Sequence, residues 1–482
     1  MLVVIIIYFD KKIHLNLESQ KCPVFFHFSV YIHVEKGVYT QRHPETTPLY
    51  KIVEDHYVDF KYNYDTKYSS KYGFFRPEIS KEVEKYTECG IYNFGVARVV
   101  CQNKDCSETF FVPFSCRSAH FCPSCAMKNA LDFEVLVMDE IIREVPMRHV
   151  IFTIPVVLRK NFFWHREHLN VLSRLAWRSL KTFMQTTLKS DGIPGAIQSI
   201  ETHGNFLSLN PHVHILITDG LFCDNGDFLK MPKYSEVACK YLKTLWEKAV
   251  ADFCINEGYV QKEFMKKILG WRYTGFSVYM ETRIDYKKSD EESDKKLRQL
   301  IHYIAKSPIA LEHLKYNGGT VLYKGKFNKG IKKNFETYEP DDFLAALTSH
   351  IPMHRQKYRN LYGVFSNKTR GYNKKNNSAI EYTFPVDCPE TTAEQRRFKQ
   401  SWAVLLQKIY EVDPLVCPKC GSRMKVIAVI TEHSSLKKIL KHVGLWNETI
   451  EARGPPFHSI SNKTEEDIEY IPFNDGWPEP EY

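Results

Sequence analysis

Between Cys89 and Cys125 the chain places six cysteines in a stretch with no long apolar run. Such a segment has little apolar surface to bury, so a metal is expected to hold it together. The chain has 13 cysteines. An odd number excludes complete internal pairing, and clustered CxxC spacing points to zinc before disulfides. Zinc takes four tetrahedral ligands, and paired cysteines on tight turns supply them in twos. The run reads Cys101-x4-Cys106-x9-Cys116-x5-Cys122-x2-Cys125. Five cysteines compete for four places, with Cys89 and His120 nearby. The expected ligands are Cys101, Cys106, Cys122 and Cys125, with Cys116 as the main substitute. Cys417-Pro-Lys-Cys420-Gly421 is half a knuckle with no obvious second pair. A structural turn and a site completed by distant ligands both stay open there, and no ion is assigned to it. The isolated Cys22, Cys223, Cys239, Cys254 and Cys388 read as free thiols.

The rest of the chain has ordinary globular composition. It has 482 residues, 43% hydrophobic and 26% charged, which excludes collagen, a coiled-coil rod and a wholly disordered chain. Two to four domains are expected. No run reaches the ~18 apolar residues of a membrane span. Met1 to Phe9 is apolar but short. It lacks a basic leader and a small-residue cleavage site, so it reads as an extra strand, or as an upstream start that is not used, rather than a signal peptide. A cytoplasmic protein is expected. There is no Walker A sequence and no GxGxxG after a strand, so a nucleotide cofactor is unsupported.

Hydrophobic periodicity gives an α+β pattern. Helical spacing runs over Thr47 to Tyr86, Ala126 to Glu144, Phe162 to Lys189, Ser235 to Gly258, Val260 to Leu269 and Asp294 to Lys306. Strands are expected at Arg148 to Pro155, Gln198 to His203, Pro211 to Asp219 and Gly275 to Ile284. This is a layered α+β domain rather than an alternating βαβ chain.

Two places in this pattern can carry chemistry. In His212-Val213-His214, strand alternation puts both imidazoles on one face, while Val213, Ile215 and Ile217 share the other. Two imidazoles on a polar face can chelate a divalent metal, although such pairs are more often structural. If 198–203 pairs with 211–218, Glu201 or His203 supplies a third ligand. On the helix around Tyr303, Leu297, Leu300, Ile301, Ile304 and Ala305 form the apolar stripe. Tyr303 lies away from its centre, near Gln299, His302 and Lys306. By itself it is one of 28 tyrosines.

Lys315 to Lys375 holds 13 Lys and Arg against four acidic residues, a net of +9, equal to that of the whole chain. Tyr316, Tyr323, Phe327, Tyr358, Tyr362, Phe365 and Tyr372 are interleaved. Cations neutralise phosphates and aromatic faces stack on unpaired bases. The expected contacts are Lys324, Lys326, Lys332, Lys333, Arg355, Lys357 and Arg359. A solvated basic surface is the bland alternative. Residues 451–482 net −6.

The order of these segments resembles the HUH-type rolling-circle transposases of the insertion-sequence ninety-one class. The resemblance rests on TPLYKIVEDHYVDF, SCRSAHFCPSC, RHVIFTIP, GNFLSLNPHVHILITDG, GFSV, LIHYIAKSPIALEHL, DPLVCPKCGSRMKVIAVI and LKHVGL, in order from Thr47 to Leu445. It implies an antiparallel HUH sheet flanked by helices. It implies a catalytic Mg²⁺ or Mn²⁺ held by His212 and His214, and it picks out Tyr303 as nucleophile. It further implies DNA as partner, mainly single-stranded or hairpin ends of the mobile element, and leaves a homo-oligomer open. Gln299 stands where some members carry a second tyrosine, so this looks like a single-tyrosine version. Cys101-x4-Cys106 is wider than the family's x2, an extra residue precedes Cys122, and Glu201 replaces a glutamine. Lys306, one turn after Tyr303, is placed to hold a phosphate or steady a phenolate.

The implied map is an extension over 1–45, a zinc module over 46–130 and a catalytic domain over 131–312. A basic region over 313–378, a CxxC and helical region over 379–450 and an acidic tail over 451–482 follow. A replication initiator or relaxase shares the HxH and tyrosine. A non-catalytic zinc-dependent DNA-binding protein, and a metallohydrolase using His212, His214 and Glu201, are the readings of other classes.

Overall fold

The computed structural model describes residues 43–328, 332–376, 417 and 419–453. The expectations for residues 1–42 with Cys22, for Cys388 and for the tail beyond 453 lie outside the described residues. The elements in chain order are helices α1 (Pro48–Lys67), α2 (Ser69–Tyr72) and α3 (Pro77–Glu88), then strands β1 (Val96–Cys101) and β2 (Thr109–Pro113). Helix α4 (Pro123–Leu136), β3 (Pro146–Thr153), α5 (Val156–Trp164), α6 (Leu169–Leu188), β4 (Gly195–His203) and β5 (Leu209–Thr218) follow. Next come β6 (Gly220–Phe222), β7 (Phe228–Lys230), α7 (Glu236–Asn256), α8 (Lys262–Leu269), β8 (Ser277–Met280), β9 (Ile284–Asp285) and α9 (Glu291–Ala305). Then β10 (Leu314–Tyr316), β11 (Val321–Asn328), β12 (Lys333–Tyr338), α10 (Pro340–Thr348), β13 (Arg359–Gly363) and α11 (Asn367–Asn376) are followed by β14 (Met424–Ile430), α12 (His433–His442) and α13 (Glu448–Arg453).

The main sheet is antiparallel, ordered β13-β4-β5-β3-β8, with β9 also on β3. Side-chain alternation divides it into two faces. Val150, Phe152, Ile200, Val213, Ile215 and Ile217 bury against α5, α6, α7 and α8. Met147, Ile197 and Leu216 bury against α9 and the end of α4. Mixed helices on an antiparallel sheet make the α+β architecture that the sequence pattern implies. Asp219, at the end of β5, is fully buried and accepts a fork of bonds from Arg148 of β3, at 3.1 and 2.9 Å. Arg283 adds a second cation at 3.5 Å. A buried carboxylate needs this degree of pairing, and the pairing ties three strand ends together.

Local chemistry sets the helix ends. Asp290 caps α9 by accepting from the backbone N–H of Glu292 and Ser293, and the acidic first turn suits the positive end of the helix dipole. The helix stops at Ala305 and Lys306 is extended. Ser307 precedes Pro308, and a residue before proline disfavours the helical region. Elsewhere the elements differ from the periodicity. The helix expected over Ala126 to Glu144 is α4 followed by a wide π turn, Val137–Ile141. Val137, Met138 and Ile141 of that turn all face inward. The strand expected over Gly275 to Ile284 breaks into β8 and β9. The helix expected over Phe162 to Lys189 is the end of α5 and all of α6, divided by a short turn at Arg166–His168.

The segment after α9 does not stand apart. Strands β10, β11 and β12 form their own sheet. Leu314, Val321 and Tyr323 pack with Phe343 to Leu347 of α10 against Leu49 to Tyr64 of α1. Tyr316 Oη bonds His56 Nε2 at 2.8 Å and Asp55 Oδ2 at 3.0 Å. Strand β13 pairs with β4 in the main sheet, Arg359 opposite Ser199. The boundary expected at 312/313 therefore cuts through both cores. Near the end of the chain, β14 pairs antiparallel with β1 to complete a β14-β1-β2 sheet. Leu436 and Leu440 of α12 cover Tyr92, Val96 and Phe111 beside it.

Candidate active site and metal centres

Pairing of β4 with β5 puts Glu201 directly opposite His212, and Ser199 opposite His214. Glu201 and His214 are 8% and 1% exposed. Glu201 Oε2 lies 3.5 Å from His212 Nε2, and Glu201 Oε1 lies 3.6 Å from His214 Nε2. One ligand atom from each of the three lies within 4.8 Å of the others. Glu201 Oε1 and His214 Nε2 are buried without a hydrogen-bond partner. Buried polar atoms are almost always paired, so two orphans aimed at one point mark a place for a cation. His212 Nδ1–H donates to the Asn210 carbonyl at 2.6 Å. That fixes the tautomer and leaves the Nε2 lone pair facing Glu201. The donor set of two imidazoles and a carboxylate suits a divalent metal.

Burial pushes the Glu201 carboxyl up to about 7, against the pull of Lys306 and Lys326. Burial likewise drives His212 down to about 4 and His214 well below the usual imidazole range. Neutral imidazoles are the metal-binding form. His203 also faces Glu201, with its Nε2 4.0 Å from Oε2.

Two further residues lie behind His214 that the motif reading missed. His149 of β3 is 2% exposed, and its Nε2 is 3.0 Å from His214 Nδ1. Glu281 Oε2, at the break between β8 and β9, lies 3.0 Å from His149 Nδ1. The imidazole holds the Glu281 carboxyl below its usual range. A carboxylate–imidazole–imidazole chain of this kind orients a metal-binding histidine. The signal lay in RHVIFT: His149 falls in the strand phase of Met147 and Ile151, on the side opposite Val150 and Phe152.

Helix α9 lies across this face. Leu297, Ile301 and Ile304 anchor it, as the stripe implies, and Tyr303 packs at the edge of the same cluster. Its ring centroid is 5.7 Å from that of His214 and 6.4 Å from that of His149. Burial, with the charges of Glu201 and Glu281, pushes the phenol up to about 12. Lys306 Nζ lies 4.0 Å from the ring centroid. The turn that leads into β5 is strained: Phe206 and Leu207 have φ of 57° and 55°. Its neighbours hold it there. Tyr338 Oη donates to the Phe206 carbonyl, His350 Nε2 lies 3.1 Å from the Leu207 carbonyl, and Asn205 Nδ2 donates to the Lys326 carbonyl at 2.7 Å. At Gly325 a Cβ would run into the side chains of Asn205 and Phe206, which would have to shift.

The cysteines fall into two sets of four rather than one. Cys122 and Cys125 join Cys89 and Cys116, whereas Cys101 and Cys106 join Cys417 and Cys420. The single site expected over Cys101, Cys106, Cys122 and Cys125 is thus corrected. Cys101 ends β1 and Cys106 lies in the turn between β1 and β2, whereas Cys89 precedes β1 and Cys116 follows β2, at the opposite end of that strand pair. In the first set, Sγ–Sγ distances are 3.7 Å for Cys89–Cys125, 3.5 Å for Cys116–Cys125 and 3.8 Å for Cys89–Cys122. Four sulfurs about 2.3 Å from a zinc ion have tetrahedral edges of about 3.8 Å, so these residues fit structural zinc. Backbone N–H groups of Cys116 and Ser118 donate to Cys89 Sγ and Cys116 Sγ, which favours thiolates. Cys223, Cys239 and Cys254 are free thiols.

The basic side chains also divide. Lys324, Lys326, Lys332, Lys333, Arg355 and Lys357 are exposed. Arg359 is not a surface contact: it bonds Asn129, covers the Phe133 ring, and is lowered to about 10 by burial. Tyr323, Tyr358 and Phe365 are buried and not open to a base, while Phe327 is 61% exposed.

Residues 53–154 match the family described as "Transposase zinc-binding domain". Residues 195–373 match the family described as "Putative transposase". The transposase for insertion sequence element IS801 of Pseudomonas savastanoi pv. phaseolicola is 27% identical over 361 residues. That alignment covers 72% of this chain and 83% of the relative. No solved structure matches the chain. Among the described residues no helix is long and apolar enough to cross a membrane.

Proposed function

The chain belongs to the insertion-sequence ninety-one family of transposases, and from that premise we propose that it nicks and rejoins single-stranded DNA through a covalent link to Tyr303. DNA is the partner, and structural zinc supports the fold. The observation that carries the reading is the position of Tyr303, beside a buried His214–Glu201 pair whose facing atoms have no other partner.

Glu201, His212 and His214 would hold the catalytic divalent cation, Mg²⁺ or Mn²⁺. Such an ion supplies Lewis-acid polarisation of a phosphodiester oxygen. The chain's own residues do the rest. Tyr303 Oη attacks phosphorus, forming the Tyr–O–P bond as the P–O3′ bond breaks. The phenol loses its proton and the departing 3′ oxygen ends as a hydroxyl, leaving a 5′-phosphotyrosine. One phosphodiester replaces another, so rejoining by an incoming 3′-hydroxyl needs no nucleotide cofactor. At neutral pH a phenol raised to about 12 is protonated, and the Lys306 ammonium beside its ring favours the phenolate as it forms. His149 and Glu281 keep His214 turned toward Glu201. Lys324, Lys326, Lys332 and Lys333 offer a cationic path for the strand, and Lys326 lies near enough to Glu201 to act on its charge.

The test is incubation with a labelled single-stranded element end and Mn²⁺. A covalent adduct on a denaturing gel that Tyr303→Phe abolishes, with DNA binding retained, supports the reading. Cleavage without an adduct, or an adduct that persists in Tyr303→Phe, rejects it.

A further inference from the structure

Cys417 and Cys420 lie outside both matched domains, and the sequence left them as half a knuckle. The fold completes the other half. Cys101 Sγ is 3.5 Å from Cys420 Sγ, and Cys106 Sγ is 3.7 Å from Cys417 Sγ, across more than 300 residues of chain. We propose that Cys101, Cys106, Cys417 and Cys420 bind a second zinc ion, which clasps the C-terminal strand β14 onto the N-terminal zinc module.

The four ligand atoms lie within 4.8 Å of one another. Both distances are near the tetrahedral edge of about 3.8 Å for a zinc tetrathiolate. They are far from the ~2.05 Å of a disulfide. Each pair sits on a turn built for a ligand. Asn103 N–H donates to Cys101 Sγ at 3.4 Å. On the other turn Gly421 N–H donates to the Cys417 carbonyl at 2.8 Å, and Cys417 N–H to the Ser422 carbonyl at 2.7 Å. Gly421 has φ +71°, a conformation that suits glycine. The two turns arrive together because the strands that carry them are paired. Cys101 ends β1, and its partner in the ladder is Met424, the first residue of β14. The result is a zinc ribbon whose two halves come from distant parts of the chain.

Apolar packing alone is thin at this point. The adjoining cluster of buried residues is Val99, Cys101, Val112, Cys417 and Met424, so two of its five members are themselves ligands. A metal supplies the cross-link that so small a core does not. The ion is structural: four cysteines leave no open position for a substrate.

The full-length protein, purified in reductant, should carry two zinc equivalents. Cys420 is exposed, so Cys420→Ser removes a ligand without opening a core. That variant should carry one zinc, and Cys420→His should restore the second. Cobalt substitution should show tetrathiolate charge-transfer bands of half intensity in Cys420→Ser. Hydrogen exchange should rise over Met424–Ile430 in that variant while Pro77–Glu88 keeps its protection. One zinc in the wild type, two in Cys417→Ser/Cys420→Ser, or a Cys101–Cys420 disulfide overturns the proposal. Should Cys420→Ser lose both ions, alkylation of the wild type with and without chelator decides. Metal-dependent protection of all eight thiols supports the second site. Protection of Cys89, Cys116, Cys122 and Cys125 alone rejects it.

Discussion

The histidine face and the cysteine clusters both gather ligands, but over different distances along the chain. His212 and His214 are one strand repeat apart, and Glu201 comes from the neighbouring strand, opposite His212. Strand geometry alone brings the three together. The cysteine sets interleave instead. Cys101 and Cys106 lie between Cys89 and Cys116 in sequence, yet belong to the other set. Spacing therefore ranks the ligands of the first region well and those of the second poorly. The two regions also differ in what their ligands support. The histidine face sits on a sheet held by apolar layers on both sides. Cys89, Cys122 and Cys125 are part of the core around α1 and α3, whereas the turns of Cys101 and Cys417 adjoin a cluster of only five buried residues.

That difference can be broken from either side. Tyr303→Phe should lower strand cleavage by on the order of 10⁴-fold or more, with a melting curve that overlays the wild type. A large loss of stability in that variant would mean that the face is not independently supported. Cys122→Ser should do the reverse: it removes a sulfur of the cysteine set that joins the core around α1 and α3, and loss of a structural zinc removes several kcal/mol of folding free energy. Limited proteolysis should then cut within residues 43–130 while the main sheet stays resistant. Equal resistance throughout would place the module's stability in its aromatic helices rather than in the ion.

Smaller effects sharpen the picture. His149→Ala and Glu281→Gln should each weaken Mn²⁺ binding by about 10–100-fold, measured by calorimetry, with the fold intact. Unchanged affinity in both would reduce the chain behind His214 to packing. Lys324→Ala and Lys332→Ala should weaken single-stranded DNA binding evenly across sequences. Each should lower the salt slope by about 0.7 if it meets one phosphate. A variant that alters sequence preference instead would point to base contact.

Much of the candidate site was readable from periodicity. Alternation put His212 and His214 on one face, and the α9 stripe came out as Leu297, Ile301 and Ile304 inward with Tyr303 at its margin. Ranking Tyr303 above the other tyrosines took the family resemblance, because helical spacing only sets it off the stripe. His149 was in view within RHVIFT, but nothing local ties it to a residue 65 positions later. Glu281 escaped because it matters where the strand breaks, and alternation predicts continuity. Arg359 counted as part of a basic run, although strand pairing turns it inward. A charge count sees composition and not direction.

By itself, the sequence determined which atoms were available for metal and phosphate chemistry, and which strand and helix carried them. Those facts follow from residue type and from the repeats of a strand and a helix, which act over a few residues. The tertiary structure decided the partnerships: Glu201 with His212 and His214, His149 behind His214, Cys417 and Cys420 with Cys101 and Cys106. Strand pairing makes each of these, joining backbone groups up to hundreds of residues apart. Its register is set by which apolar faces are buried together, and no local spacing records that.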